Sequence, residues 1–231
     1  KIARSSIDQA IFPTMGSELA LSGQFTPPYS LFNNKDYSEL SASERFKWLE
    51  YHKWKFTGAL YNKLFDKFVL YTRIGFGALS LYNREVGMVT FERFYLGGDP
   101  FSNAVNQLDS REVISLRGYA GSNLSPVLGA TLINKYTAEL RYPFSLNPSA
   151  TIYGLGFVEA GNSWETFEGF NPFNVYKSAG VGVRIFLPMF GLLGVDWGYR
   201  LNDVEGRDGF PAFDPQRSRF HFTLGMNFGD L

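Results

Sequence analysis

The chain has 231 residues with 22 acidic and 22 basic side chains, a balance without the global basic field that a nucleic-acid partner requires. It contains no cysteine, which excludes disulfide frameworks, thiol catalysis and cysteine-based zinc sites and leaves the compartment open. The longest nearly apolar run, 185–195, contains Pro188 and falls short of the ~20 residues of a membrane helix, so a helical membrane protein is excluded while a β-barrel is not.

Aromatic residues make up 17% of the chain and glycine numbers 24. Aromatics favour strands, and glycines repeated inside strands mark close backbone approach or barrel bends. No signal peptide precedes Lys1, which leads to the expectation of a processed product or a fragment of a longer precursor. A partial strand is expected over 1–8. In 17–26, Leu19, Leu21 and Phe25 alternate with Glu18, Ser22 and Gln24. In 45–60, Trp54, Phe56 and Leu60 oppose Tyr51, Lys53, Lys55 and Thr57, and in 68–79, Leu70, Ile74, Phe76 and Ala78 oppose Tyr71, Arg73, Gly75 and Gly77. The stretch 86–131 is long and irregular.

The second half alternates more cleanly. Over 134–142, Tyr136, Ala138, Leu140 and Tyr142 face away from Lys135, Thr137, Glu139 and Arg141. Over 176–187, Val181, Val183, Ile185 and Leu187 oppose Ser178, Gly180, Gly182 and Arg184. Over 192–201, Leu193, Val195, Trp197, Tyr199 and Leu201 oppose Gly194, Asp196, Gly198 and Arg200. Over 219–228, Phe220, Phe222, Leu224, Met226 and Phe228 oppose His221, Thr223, Gly225 and Asn227. The strand at 151–164 breaks the rule, because Tyr153, Leu155 and Phe157 share a parity with Glu159.

Period 2 with turn signals between segments is the pattern of half-buried strands. A soluble sandwich produces the same alternation. Three features favour lipid: strands of membrane-crossing length, aromatics near strand ends (Trp54, Phe56, Trp197, Tyr199, Phe220, Phe222), and an opposite face of Gly, Ser, Thr, Lys and Arg that suits a wet lumen. Tight turns at 13–16 and 188–191 contrast with the long 86–131 connection, as short periplasmic turns contrast with long outer loops. The fold class expected is all-β, a transmembrane antiparallel β-barrel. About nine strands are counted, an odd number whose open edge cannot face lipid, so further strands are expected before Lys1.

Within the long loop lies Leu116-Arg117-Gly118-Tyr119, followed by Ser125-Pro126. Upstream stands Phe91-Glu92-Arg93-Phe94-Tyr95-Leu96-Gly97-Gly98, and downstream Gly156-Phe157-Val158-Glu159-Ala160-Gly161-Asn162-Ser163-Trp164. In this order the three motifs resemble the Omp85 superfamily, and within it the outer-membrane assembly factors. The resemblance implies that 1–231 is the C-terminal part of a sixteen-stranded barrel in the outer membrane of a Gram-negative bacterium, roughly its eighth to sixteenth strands. It further implies that 86–131 is an extracellular loop that folds back into the lumen. Two departures stand out: Glu159 occupies a position usually Asp, and the span 99–116 between Gly-Gly and Arg-Gly-Tyr is long.

What the resemblance implies for the site is a clamp of Arg117, Gly118 and Tyr119 against Glu139 and Glu159. A guanidinium with five donors in a planar fork suits two carboxylates. The plainer reading is a set of solvated lumen charges worth little. The resemblance also implies a lateral seam, with Phe220, Phe222, Leu224, Met226 and Phe228 of the last strand on one side. There the strand of a nascent outer-membrane β-barrel protein pairs by β-augmentation. Implied partners are these clients, BAM-type accessory subunits, and outer-membrane lipid or lipopolysaccharide. A secretion or translocation pore of the same superfamily (two-partner-secretion or TamA-like) stays open as an alternative, as does an ordinary porin.

Catalytic signals are poor. His52 and His221 are the two histidines, Ser218 is near the second, and no nucleophile elbow is present, so no enzyme is expected and His221 reads as polar filling. Neither a metal nor a cofactor is expected. Asp203, Glu205 and Asp208 lack the spacing of a Ca²⁺ loop and read as solvated.

Overall fold

The structure, a computed structural model, describes residues 1–33, 35–87, 92–98, 112–121, 124–204 and 216–225. Among these residues the strands are β1 (Ile2–Ser5), β2 (Gly16–Phe25), β3 (His52–Lys63), β4 (Val69–Ser80), β5 (Phe94–Leu96), β6 (Glu112–Ile114), β7 (Leu132–Asn147), β8 (Ala150–Trp164), β9 (Tyr176–Leu187), β10 (Gly191–Arg200) and β11 (Ser218–Leu224). Nine of them form one sheet in the order β1-β2-β3-β4-β7-β8-β9-β10-β11, every pair antiparallel. Each strand thus pairs with its neighbour in sequence, apart from the excursion through β5 and β6.

An antiparallel meander puts alternate connections at opposite ends of the sheet. Connections 6–15, 64–68, 148–149 and 188–190 lie at one end, and the longer 26–51, 81–131, 165–175 and 201–217 at the other. The short end has its own turn chemistry. The Asp8 carboxylate accepts the Thr14 amide at 2.8 Å and the Thr14 hydroxyl at 2.6 Å, closing the β1–β2 connection.

The period-2 pattern is realised as two faces. On β10, Val195 and Trp197 are exposed outward while Asp196 and Arg200 are nearly inaccessible. Inward side chains from every strand of the sheet, from Ser5 of β1 to Thr223 of β11, line one polar cavity of about 710 Å³, so the sheet curls around it. On β8, Tyr153, Leu155, Phe157 and Glu159 all point inward and are buried, whereas Val158 is exposed. The alternation there is intact; the inner face of this strand carries aromatics because cations stack on them.

The boundaries differ from the sequence reading at two places. The strand expected over 45–60 begins at His52, opposite Phe25 where β2 ends. Beyond that rung the Thr26 amide donates to the Tyr51 carbonyl and the Tyr51 amide to the Thr26 hydroxyl, Pro27 and Pro28 have no amide to donate, and a short helix, α1 (Ser30–Asn33), follows. A second, α2 (Ala42–Arg45), ends at the first residue assigned to strand, and 46–51 are neither helix nor strand. The last pair of the meander's centre runs longer than expected: β7 continues through Pro143, where the register shifts between Pro143 and Ser145, the usual accommodation of a residue that cannot complete a ladder.

The long loop is also not wholly irregular. Its β5 and β6 pair in parallel, Phe94↔Glu112 through Leu96↔Ile114, and Phe94 bridges to Ala130. Together with Leu116, Tyr119, Leu124 and Val204 they bury an apolar cluster against Leu79 of β4 and Ile133 of β7. The loop therefore brings its own core to one end of the sheet. Replacing the fully buried Phe94 by Ala is expected to cost about 3–5 kcal/mol, and Phe173→Ala, at an exposed ring, less than ~0.5 kcal/mol. Unfolding of both variants in detergent checks this.

Candidate functional site: a buried arginine among three carboxylates

The tip of the loop lies inside the curl of the sheet. Gly118 has φ +90°, a backbone conformation that other residues adopt at a cost, and this turns the chain sharply after Arg117. A Cβ on Gly118 would lie 3.1 Å from the Arg200 nitrogen and the Tyr199 carbonyl carbon, and one on Gly198 only 2.6 Å from the Gly118 nitrogen. Backbone rests on backbone at this crossing, and side chains at either position would separate them.

That approach delivers Arg117 into the wall. Its Nη2 donates to Glu139 Oε1 at 2.7 Å and to Glu159 Oε1 at 2.9 Å, and its backbone N–H donates to Glu159 Oε2 at 2.9 Å. Its Nη1 reaches Asp196 Oδ1 at 3.4 Å, and the guanidinium lies 3.6 Å over the Phe157 ring. The aromatic inner face of β8 is thus the floor on which the cation stacks.

Each carboxylate also has another cation. Arg141 donates through Nε and Nη2 to Glu139 Oε2 at 2.9 and 2.7 Å, and stacks 3.9 Å from the Tyr71 ring. Lys135 lies 3.3 Å from Glu159, which also accepts from the Thr137 hydroxyl at 3.4 Å. Arg184 grips Asp196 as a two-pronged fork, Nη1–Oδ1 at 2.8 Å and Nη2–Oδ2 at 2.7 Å. Among the described residues the network holds four cations and three carboxylates, all largely withdrawn from solvent. The inward glycines of β9 and β10 make room for it: a Cβ on Gly182 would lie 1.9 Å from Asp196 Oδ1, and one on Gly194 2.8 Å from Arg184.

The tip makes two further contacts. The Gly118 amide donates to His221 Nε2 of β11 at 2.8 Å. The Tyr119 hydroxyl donates to the Lys177 carbonyl at the start of β9 at 2.7 Å, while its ring sits in the apolar cluster and meets Tyr176 edge-on.

A second ionic contact holds the base of the loop. Glu112 of β6 accepts from Lys53 at 2.8 Å and from Lys55, both of β3, and Lys53 also donates to the Glu92 carbonyl at 2.7 Å while its ammonium lies over the Phe94 ring. Burial pushes the Glu112 carboxyl up, but the bonds and charges of Lys53 and Lys55 outweigh it and hold the group below its ordinary value of 4.5.

Of the residues singled out from sequence, Arg117, Gly118, Tyr119, Glu139 and Glu159 are brought together. Phe220, Phe222 and Leu224 face outward and are exposed on β11. Met226 and Phe228 lie outside the described residues, as do Phe91, Glu205 and Asp208. Asp203 is occupied by Arg217 at 2.6 Å. His52 accepts from the Trp54 indole at 3.2 Å on the outer side. Asp196, Arg184, Arg141, Lys135 and His221 were legible only as inward-facing residues; the register that joins them to Arg117 was not.

The family model described as the Omp85 superfamily domain matches residues 1–228. A relative from Nitratidesulfovibrio vulgaris, named outer membrane protein assembly factor BamA, is 29% identical over 174 residues, which cover 73% of this chain and 19% of that protein. A solved structure, BamA from Haemophilus ducreyi lacking POTRA domains 1–3, superposes with a TM-score of 0.61 at 19% identity over 94% of this chain and 40% of that one. The chain therefore spans well under half the length of both.

Because its folded-state value is lowered, Glu112 contributes stability that is fully present above pH ~4.5 and is lost as pH falls below that through the lower folded value. The protection of the 94–96 and 112–114 amides, relative to their intrinsic exchange rates, should fall on acidification below pH ~4.5, and Glu112→Gln should flatten that response while lowering protection at neutral pH.

Proposed function

The chain belongs to the Omp85 superfamily, and from this we propose that it is the C-terminal part of a transmembrane barrel that helps nascent outer-membrane proteins fold and insert. The observation that carries the proposal is the Arg117 tip, docked inside the curl of the sheet on Glu139, Glu159 and Asp196. An open channel has no use for a loop whose apolar cluster and buried ion pairs block its bore. A barrel that acts at its wall needs a rigid interior that holds the wall in shape.

The outer face supports a membrane setting. Two aromatic belts flank it. At the long-loop end Phe25 stacks edge-on with Trp54, and Trp197 lies beside Tyr199. At the short-turn end Phe65, Phe68, Tyr142 and Phe144 follow one another ring to ring. The path along β3 from Trp54 to Lys63, just before the Phe65 turn, at about 3.3 Å per residue and a tilt of ~40° spans roughly 23 Å, close to the ~25 Å apolar band of outer-membrane barrels. Sheet edges cannot face lipid, so in this proposal β1 continues into further strands and β11 forms one side of a seam.

The clients are nascent outer-membrane β-barrel proteins, which add a strand at the seam by backbone pairing. BAM-type accessory subunits and outer-membrane lipid or lipopolysaccharide complete the setting, the outer membrane of a diderm bacterium. The reading assigns no enzymatic step and needs neither cofactor nor metal.

Removing the Arg117 side chain breaks three buried ion pairs that tie the loop tip to the wall, while each carboxylate keeps its second cation, and is expected to cost about 3 kcal/mol, the lower end for a broken buried pair. In the intact protein, Arg117→Ala should lower thermal stability and impair insertion of a reporter barrel into proteoliposomes; a plain pore would keep its conductance in the same variant. A cysteine at Leu224 should cross-link to a stalled client. Full insertion by Arg117→Ala, together with no adduct at Leu224 in an active preparation, would overturn the proposal.

A further inference from the structure

The last strand meets the loop tip at one rung. Asp196 of β10 and His221 of β11 are register partners, and both side chains point inward and are buried. The two adjacent residues of the tip take one member each: Arg117 Nη1 lies 3.4 Å from Asp196 Oδ1, and the Gly118 amide donates to His221 Nε2 at 2.8 Å. The close backbone crossing of Gly118 over Gly198, two residues along β10, sets the tip at this height.

β11 is the strand with most to gain from such a tie. Its ladder to β10 runs from Leu193↔Leu224 to Tyr199↔Ser218, and among the described residues no strand pairs with its other edge. Its outward side chains Phe220, Phe222 and Leu224 are exposed. An edge strand held by a single ladder is where fraying begins. The bond from Gly118 comes from a different element, so unpairing β11 requires breaking it as well.

We propose that Arg117 and Gly118 staple the Asp196–His221 rung, with His221 as the positioning residue that couples docking of the loop tip to pairing of the last strand. An imidazole has the reach to present an Nε2 lone pair to a backbone amide across the interior, and an aliphatic side chain there presents none. Release of the tip then loosens the last strand, and withdrawal of the last strand loosens the tip. The proposal rests on the reading of β11 as one side of a seam, and assigns the control of that seam to a residue on its inner face.

Hydrogen exchange of the intact protein in detergent, with no client present, tests it. His221→Leu should speed exchange of the β11 amides about fivefold, the loss expected for one net hydrogen bond, and leave the β7–β8 amides unchanged. His221→Gln, which keeps an acceptor of similar reach, should restore the wild-type rates. Gly198→Ala, which leaves His221 in place and pushes the tip away, should speed β11 exchange as His221→Leu does, and it serves as the test should the leucine variant not assemble. Unchanged β11 exchange in His221→Leu and Gly198→Ala overturns the proposal, as does an equal rise in every strand or a Gln variant that behaves like Leu. The readout needs no client, so a failure here is distinct from a failure of insertion by the same variants.

Discussion

A guanidinium withdrawn from water has to be matched by carboxylates, and Arg117 is matched by Glu139, Glu159 and Asp196. Those three come from β7, β8 and β10, so one loop residue ties strands that are distant in sequence. Each carboxylate in turn requires its own second cation, which explains Arg141, Lys135 and Arg184 on the same inner face. The aromatic run on β8 and the glycines on β9 and β10 follow from the same demand, the first as a stacking floor and the second as space.

The interior is thereby divided. Toward the short-turn end it is a polar cavity of about 710 Å³. Toward the long-loop end it is filled by the loop's apolar cluster, with Phe94, Leu96, Ile114 and Leu116 fully buried. The arginine sits at the boundary between the two. Burial of the cluster holds the loop inside, and the ion pairs and the Glu112 contact to Lys53 and Lys55 determine where along the wall it stops. Apolar burial is non-directional, while forked charge pairs are geometrically specific, and the loop uses both.

The outer face obeys a different requirement. Its side chains are large, apolar and exposed, which is costly in water and favourable in lipid, and its aromatics gather at the two ends. Inner and outer faces thus present different chemistries, and the strand alternation is the trace of both.

The period of two, the charge balance and the short and long connections are local properties, so the nine strands of the main sheet and their faces could be read from the amino acids alone, while β5 and β6 inside the long loop could not. Parity placed Glu139 inward, and the Arg-Gly-Tyr and Glu159 motifs, by resemblance, pointed to a pairing. Asp196, Arg184 and the Gly118–His221 bond could not be read that way. Their contacts depend on cross-strand register and on the depth to which the loop descends, and both are settled by packing between residues 79 and 103 positions apart. The strand that seemed to break the alternation shows the difference well. From sequence, Tyr153, Leu155 and Phe157 beside Glu159 looked like a lapse; in the folded sheet they are inward-facing residues, and Phe157 is the ring beneath Arg117. Sequence determined which residues face in. Only the tertiary structure decided which of them meet, because a buried charge chooses its partners by distance in space and not along the chain.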